Sequence, residues 1–173
     1  MARRGLSGAR PVDVAREAGV SEATIYAYFP NRETVIDAVL DEVARHFAEI
    51  TGPPFATDLP LPERFAKVFA AIAASAAEDP DHARVWFDWA SAMRGDLGPR
   101  FLAAQSGLTE IMASAVRATP KKERGGLELH PDDAAHLVLG AGEMMVRLQL
   151  AGKEPREIRR FVRSTLRALF PEQ

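Results

Sequence analysis

The stretch Val12-Asp13-Val14-Ala15-Arg16-Glu17-Ala18-Gly19-Val20-Ser21-Glu22-Ala23-Thr24-Ile25-Tyr26-Ala27-Tyr28-Phe29 decides how this chain is read. Pro11, just before it, suits the first turn of a helix, because its ring presets φ and its missing N–H is one a helix start leaves unbonded. Val12, Val14 and Ala15 give that helix an apolar face, and Gly19 ends it. Ser21 can accept a free backbone N–H on its hydroxyl and so opens a second helix, Glu22 to Phe29. Pro30 stops it, since the residue before a proline is pushed out of the α region. Two short helices joined at a glycine form a helix-turn-helix. That motif needs a small residue where the helices touch, here Ala15, and positive φ at the turn, here Gly19. Val14, Ala18, Val20 and Ile25 are expected to lock the crossing angle. Glu22, Ala23, Thr24 and Ala27 are then left facing outward, where the second helix of such a pair meets base edges in the major groove of DNA. The free N–H groups beside Ser21 suit a phosphate.

Working outward, Asn31 is a good N-cap, and Val35, Ile36, Val39, Leu40, Val43 and Phe47 repeat at spacings of three and four. They predict one long amphipathic helix to about Ile50. Thr51 to Pro62 carries four prolines and one glycine and reads as a linker. Beyond it, Glu63–Glu78, Pro80–Met93, Pro99–Ala118, Pro131–Ala151 and Pro155–Phe170 each begin near a proline and space their apolar residues helically. Pro120–His130 reads as a polar, flexible loop. The expectation is an all-α chain of about eight helices with no strand. A helix-turn-helix domain with its connecting helix would occupy residues 1–50, and a helical effector-binding and dimerisation domain residues 51–173.

Composition narrows the function. A chain of 173 residues buries a real core, and its net charge of −2 means that any DNA contact comes from a local patch. Residues 1–34 hold five arginines (Arg3, Arg4, Arg10, Arg16, Arg32) against four acids (Asp13, Glu17, Glu22, Glu33). With no cysteine there is no disulfide, thiolate zinc site or thiol nucleophile. No stretch approaches 18 uninterrupted apolar residues and no signal-peptide pattern opens the chain, so a cytoplasmic protein away from membranes is expected. His46, His82, His130 and His136 fall in no metal-ligand spacing, and Gly140-x-Gly142 lies in a helix without the strand and loop of a phosphate cradle. Neither an enzyme nor a cofactor is expected.

Ala18 to Glu33, read as Ala-Gly-Val-Ser-x-x-Thr-x-Tyr-x-Tyr-Phe-x-Asn-Arg-Glu, resembles the DNA-binding signature of TetR-type transcription regulators. The resemblance implies that Thr24, Tyr26 and Tyr28 contact the sugar–phosphate backbone and that Arg32 takes the family's phosphate-binding position. Arg10 and Ser21 complete the expected DNA-binding set with Glu22, Ala23 and Ala27. Because Ala23 and Ala27 are small, readout would lean on thymine methyls and DNA shape. The family also has a full helix before this motif, whereas Met1 to Leu6 resembles only its last turn. A second reading follows, an all-helical ligand-binding or interaction dimer that has lost DNA binding.

Phe65, Phe69, Trp86, Phe87, Trp89 and Phe101 concentrate the aromatics, and on composition alone such residues fill a core. Val85 to Leu102, together with Ala23 to Leu40, is similar to stretches of the HapR/SmcR/LuxR-type quorum-sensing master regulators, a branch of the TetR family. That resemblance implies an apolar effector pocket beside Trp89. Phe65, Phe69, Trp86, Met93, Gln105, Thr109 and Met112 are candidate walls by helical phase, with the Trp89 N–H, Gln105 and Thr109 as orienting polar groups. The last two helices carry apolar stripes: Leu137, Gly140, Ala141, Met144, Met145 and Leu148 on one, and Phe161, Val162, Thr165 and Leu169 on the other. By resemblance they pair across a two-fold axis into a four-helix bundle, giving a homodimer that binds a pseudo-palindromic double-stranded operator.

Overall fold

Prolines set the helix starts. In a computed structural model, which describes residues 10–92 and 96–171, the elements are α1 (Pro11–Ala18), α2 (Glu22–Tyr28), α3 (Arg32–Thr51), α4 (Leu61–Glu78), α5 (Asp81–Ser91), α6 (Leu97–Ala118), α7 (Pro131–Leu150) and α8 (Pro155–Leu169). Among the described residues there is no strand, and no helix is long and apolar enough to cross a membrane. The chain divides into two compact units, Met1–His46 with Asp81–Phe101, and Phe47–Pro80 with Leu102–Gln173. This differs from the expected break at residue 50. The aromatic segment around α5 packs with the N-terminal helices, a long-range grouping that local periodicity does not encode.

In the first unit, α3 turns Val35, Ile36, Leu40 and Val43 inward, and Ala15 and Ile25 join them in the core. From the later segment, Trp86, Trp89 and Phe101 form an aromatic cluster, the Phe101 ring centroid lying 4.9 Å from Trp86 and 5.6 Å from Trp89. These offset, tilted rings suit the quadrupoles of aromatic faces and edges. The Trp89 indole N–H donates to the Leu97 carbonyl at 2.9 Å. Arg100 then reaches back to α3, pairing with Asp37 and, at 3.1 Å, with Asp41.

In the second unit, α4 buries Phe65, Val68, Phe69 and Ile72 against α7 and α8. Phe65 meets Phe55 edge-on at 5.2 Å and Phe170 at 5.6 Å. Phe55 belongs to the proline-rich linker, which forms a single 3-10 turn over Pro53–Ala56 and buries Pro54. The loop expected to be flexible is also tied down: Leu127 is buried, Arg124 Nε donates to the Thr119 carbonyl, and Gly125 has φ 62°. A Cβ at Gly125 would come within 2.6 Å of Pro62 Cγ, so only glycine fits that approach. Gln149 Nε2 ties α7 to α4 by donating to the Ala73 carbonyl at 2.9 Å.

Candidate nucleic-acid interface

The helix-turn-helix is built as its residues require. Gly19 ends α1 at φ 68°, ψ 26°, its N–H returning to the Ala15 carbonyl. Ser21 is extended, and its hydroxyl accepts the Thr24 N–H at 3.1 Å, satisfying one of the free donors at the start of α2. The Thr24 hydroxyl lies 2.8 Å from Ser21 Oγ, so the two hydroxyls are hydrogen-bonded to each other at the surface. Asn31 caps α3, accepting the Thr34 N–H on its side chain at 2.9 Å, while its carbonyl accepts the Thr34 hydroxyl at 2.8 Å. One helical face of α2 is inward: Ile25 is buried, whereas Glu22, Ala23, Thr24, Tyr26, Ala27 and Tyr28 are exposed.

Tyr28 is 76% exposed and Tyr26 45%. Two large amphipathic rings so presented, each with a hydroxyl at its tip, favour a polar partner over bare solvent. Arg32, Arg10 and Ser21 are exposed as well, so the expected DNA-binding residues all lie at the surface of the first unit. Two expectations are corrected. Ala18 and Val20 are exposed, Val20 at 41%, and do not lock the helix crossing. Ala15 on α1 and Ile25 on α2 are the buried apolar residues there, as is Pro11. The helix expected to be shortened at Met1 to Leu6 lies outside the described residues.

Electrostatics at this face are nearly balanced. From Arg10 to Glu33 three arginines meet four acids. Arg16 pairs with Asp13, and Arg10 Nε stands 3.8 Å from the same carboxylate. Both guanidiniums are mostly exposed, and such surface pairs are weak enough to exchange for phosphate.

The proposed pocket walls are distributed differently from the expectation. Trp86 and Trp89 are buried in the first unit at 3% and 2%, and the Trp89 N–H is spent on Leu97, so it is not a free orienting group. Phe65, Phe69, Thr109 and Met112 are buried in the second unit, and Gln105 is half-buried. The Thr109 hydroxyl is turned onto its own helix, toward the Gln105 and Ser106 carbonyls, as a helical threonine does. Met93 lies outside the described residues. On the expected dimer face, Leu137, Gly140 and Met144 are exposed and Ala141, Leu148, Phe161, Val162 and Thr165 half-buried. Met145 and Leu169 are buried within their own unit at 0% and 5%, and serve its core.

Sequence reasoning missed the Arg100 clasp on Asp37 and Asp41 and the stacking of His46 on His82, whose rings lie 3.9 Å apart and nearly parallel. The residues in each are far apart in sequence and fall in no recurring motif, so no local signal could have paired them. Among the described residues no cluster of three or more His, Cys, Asp or Glu could hold a metal.

Residues 1–39 match the family described as bacterial regulatory proteins, tetR family. A stretch of 101 residues is 34% identical to the HTH-type transcriptional regulator LuxR of Vibrio harveyi, spanning 58% of this chain and 49% of that protein. The chain thus spans about half the length of the curated relative it matches. The fold is similar to that of a TetR/AcrR-family transcriptional regulator from Thermobifida fusca, with a TM-score of 0.67, 18% identity and coverage of 95% of this chain and 88% of that one. It is also similar to the transcriptional regulator FadR from Bacillus subtilis in complex with stearoyl-CoA, with a TM-score of 0.78, 18% identity and coverage of 99% and 92%. The motif, its local geometry and these likenesses agree on the N-terminal segment: residues 1–39 are similar to the tetR family of bacterial regulatory proteins, and the fold is similar to that of transcriptional regulators.

Proposed function

We propose that this protein is a cytoplasmic, homodimeric transcription regulator that binds a pseudo-palindromic DNA operator and is modulated by a small ligand with apolar character. The observation that carries the reading is the outward face of α2. Six of its seven residues are exposed on a helix whose start is capped and whose entry is fixed by a left-handed glycine. Thr24, Tyr26 and Tyr28 supply hydroxyls for the phosphate backbone, and Arg32 supplies charge one helix later. Ala23 and Ala27 leave room for thymine methyls. Dimerisation is supported by the α7 stripe, where Leu137 is 54% and Met144 47% exposed around the open surface at Gly140. Apolar side chains so exposed on one helix face favour burial against a partner. A ligand-responsive body is supported by the likeness to FadR, which was solved with stearoyl-CoA.

The test is a salt titration of the purified full chain on the DNA upstream of its own gene. Backbone contacts release counterions, so binding held at low salt should be lost by about 200 mM, and Tyr28→Ala with Thr24→Ala should weaken it across all sequences. No binding at low salt, or binding indifferent to salt, would instead favour an interaction dimer without DNA recognition.

A further inference from the structure

The most cationic element of the described chain is α8, not the helix-turn-helix. Arg159, Arg163 and Arg167 recur every fourth residue along it, so they stand in one row on one face. All three are exposed, and among the described residues none stands in an ion pair. The row forms one rim of a cleft of about 580 Å³ between α4 and α8. Its lining is apolar: Ala66, Ala73, Val162 and Leu166 are half-buried, with Phe69, Met145 and Ile158 buried beneath them. The opposite rim belongs to α4, where Ala70 leaves the cleft open to solvent.

We propose that this cleft binds a single-chain anionic amphiphile, its hydrocarbon tail on the apolar lining of Ala66, Ala73, Val162 and Leu166 and its carboxylate or phosphate head on Arg159, Arg163 and Arg167. Guanidinium groups match the two oxygens of such heads, and an anion is the one charge type this rim attracts. From Arg159 to Arg167 the rim runs about 12 Å at the helical rise. A cleft of about 580 Å³ fits a small molecule. The proposal deepens the effector part of the function above, and its test uses no DNA, so either can fail without the other.

The test is calorimetric titration of the full chain with monomeric dodecanoate, dodecanol and dodecyltrimethylammonium. Dodecanoate should bind once per chain. Replacing Arg159, Arg163 and Arg167 together by Gln should weaken it at least tenfold while leaving dodecanol binding within twofold, and Ala70→Trp should abolish both by filling the cleft. Thermal melts keep the variants honest: all four arginine and alanine positions are exposed, so their melting points should stay near the parent's. Equal affinity for the cationic head, or dodecanoate binding indifferent to both variants, overturns the proposal. So does binding to phosphatidylglycerol vesicles without binding of monomeric dodecanoate, which would assign the arginines to a bilayer surface. Absence of dodecanoate binding with an oligomer broken by Ala70→Trp would assign the cleft to a second copy.

Discussion

Gly19 holds φ 68° with open space where a side chain would stand. Alanine there meets no neighbour, so its cost is the left-handed backbone itself, roughly 1–2 kcal/mol. A urea titration of Gly19→Ala should show the unfolding free energy lowered by that amount, through a lower midpoint at an unchanged slope. Ser21→Ala removes the acceptor of the Thr24 N–H and should cost about 1 kcal/mol, whereas Ser21→Asp keeps an acceptor and should recover most of it. If Asp is as damaging as Ala, the cap is not what orders the start of α2. At this scale the sequence was legible, because a cap or a turn is set by residues within three or four positions. The Trp89 partner was not: its N–H bonds the carbonyl of Leu97, eight residues on, a spacing that matches no helical or turn pattern.

Among the elements, proline fixed the starts of α1, α7 and α8 at the expected residue. Helices α4 and α6 begin two residues earlier than expected, at Leu61 and Leu97. Proline is tolerated throughout the first turn, where no intrahelical N–H is needed, so Pro62 and Pro99 mark a turn and not its first residue. Helical phase also failed to rank neighbours on α7, where Met144 is 47% exposed and Met145 fully buried. That difference gives a paired prediction. Leu137→Glu with Met144→Glu should dissociate the dimer in sedimentation while the monomer keeps its helical circular dichroism. Met145→Glu should instead unfold the unit, because it buries a charge without a partner. A dimer that survives the first pair of changes would place the interface elsewhere.

The Glu110–Arg117 pair on α6 is electrostatic and so depends on pH. Hydrogen bonds from Ser114 and Arg117 hold the Glu110 carboxyl below its ordinary range, and Arg117 also reaches Asp132 on α7 at 2.8 Å. A lowered folded-state pKa means that stabilisation is complete above the unfolded carboxylate value and is lost as pH falls through the folded one. Melting curves of the parent and of Glu110→Gln should therefore differ at neutral pH and converge only once the pH has fallen below the ordinary carboxylate range. Curves that stay parallel into acid would show that Glu110 adds nothing to the fold.

For the whole molecule, specific recognition requires two helix-turn-helix units presented together, since one short helix reads too few base pairs to specify a site. A two-fold assembly would set two α2 faces about one turn of DNA apart, about 34–36 Å. The net charge of −2 argues against non-specific adhesion as the source of binding, so the contacts must be local and geometric. The family fold and the outward α2 face could be read from sequence. The division into units could not, because α5 joins the N-terminal helices through contacts some forty residues away. The most direct measurement is selection of bound DNA from a random pool by the full chain. Paired α2 helices should enrich one inverted repeat whose half-sites are centred about one turn apart; enrichment of a single asymmetric site, or none at all, would rule out paired recognition.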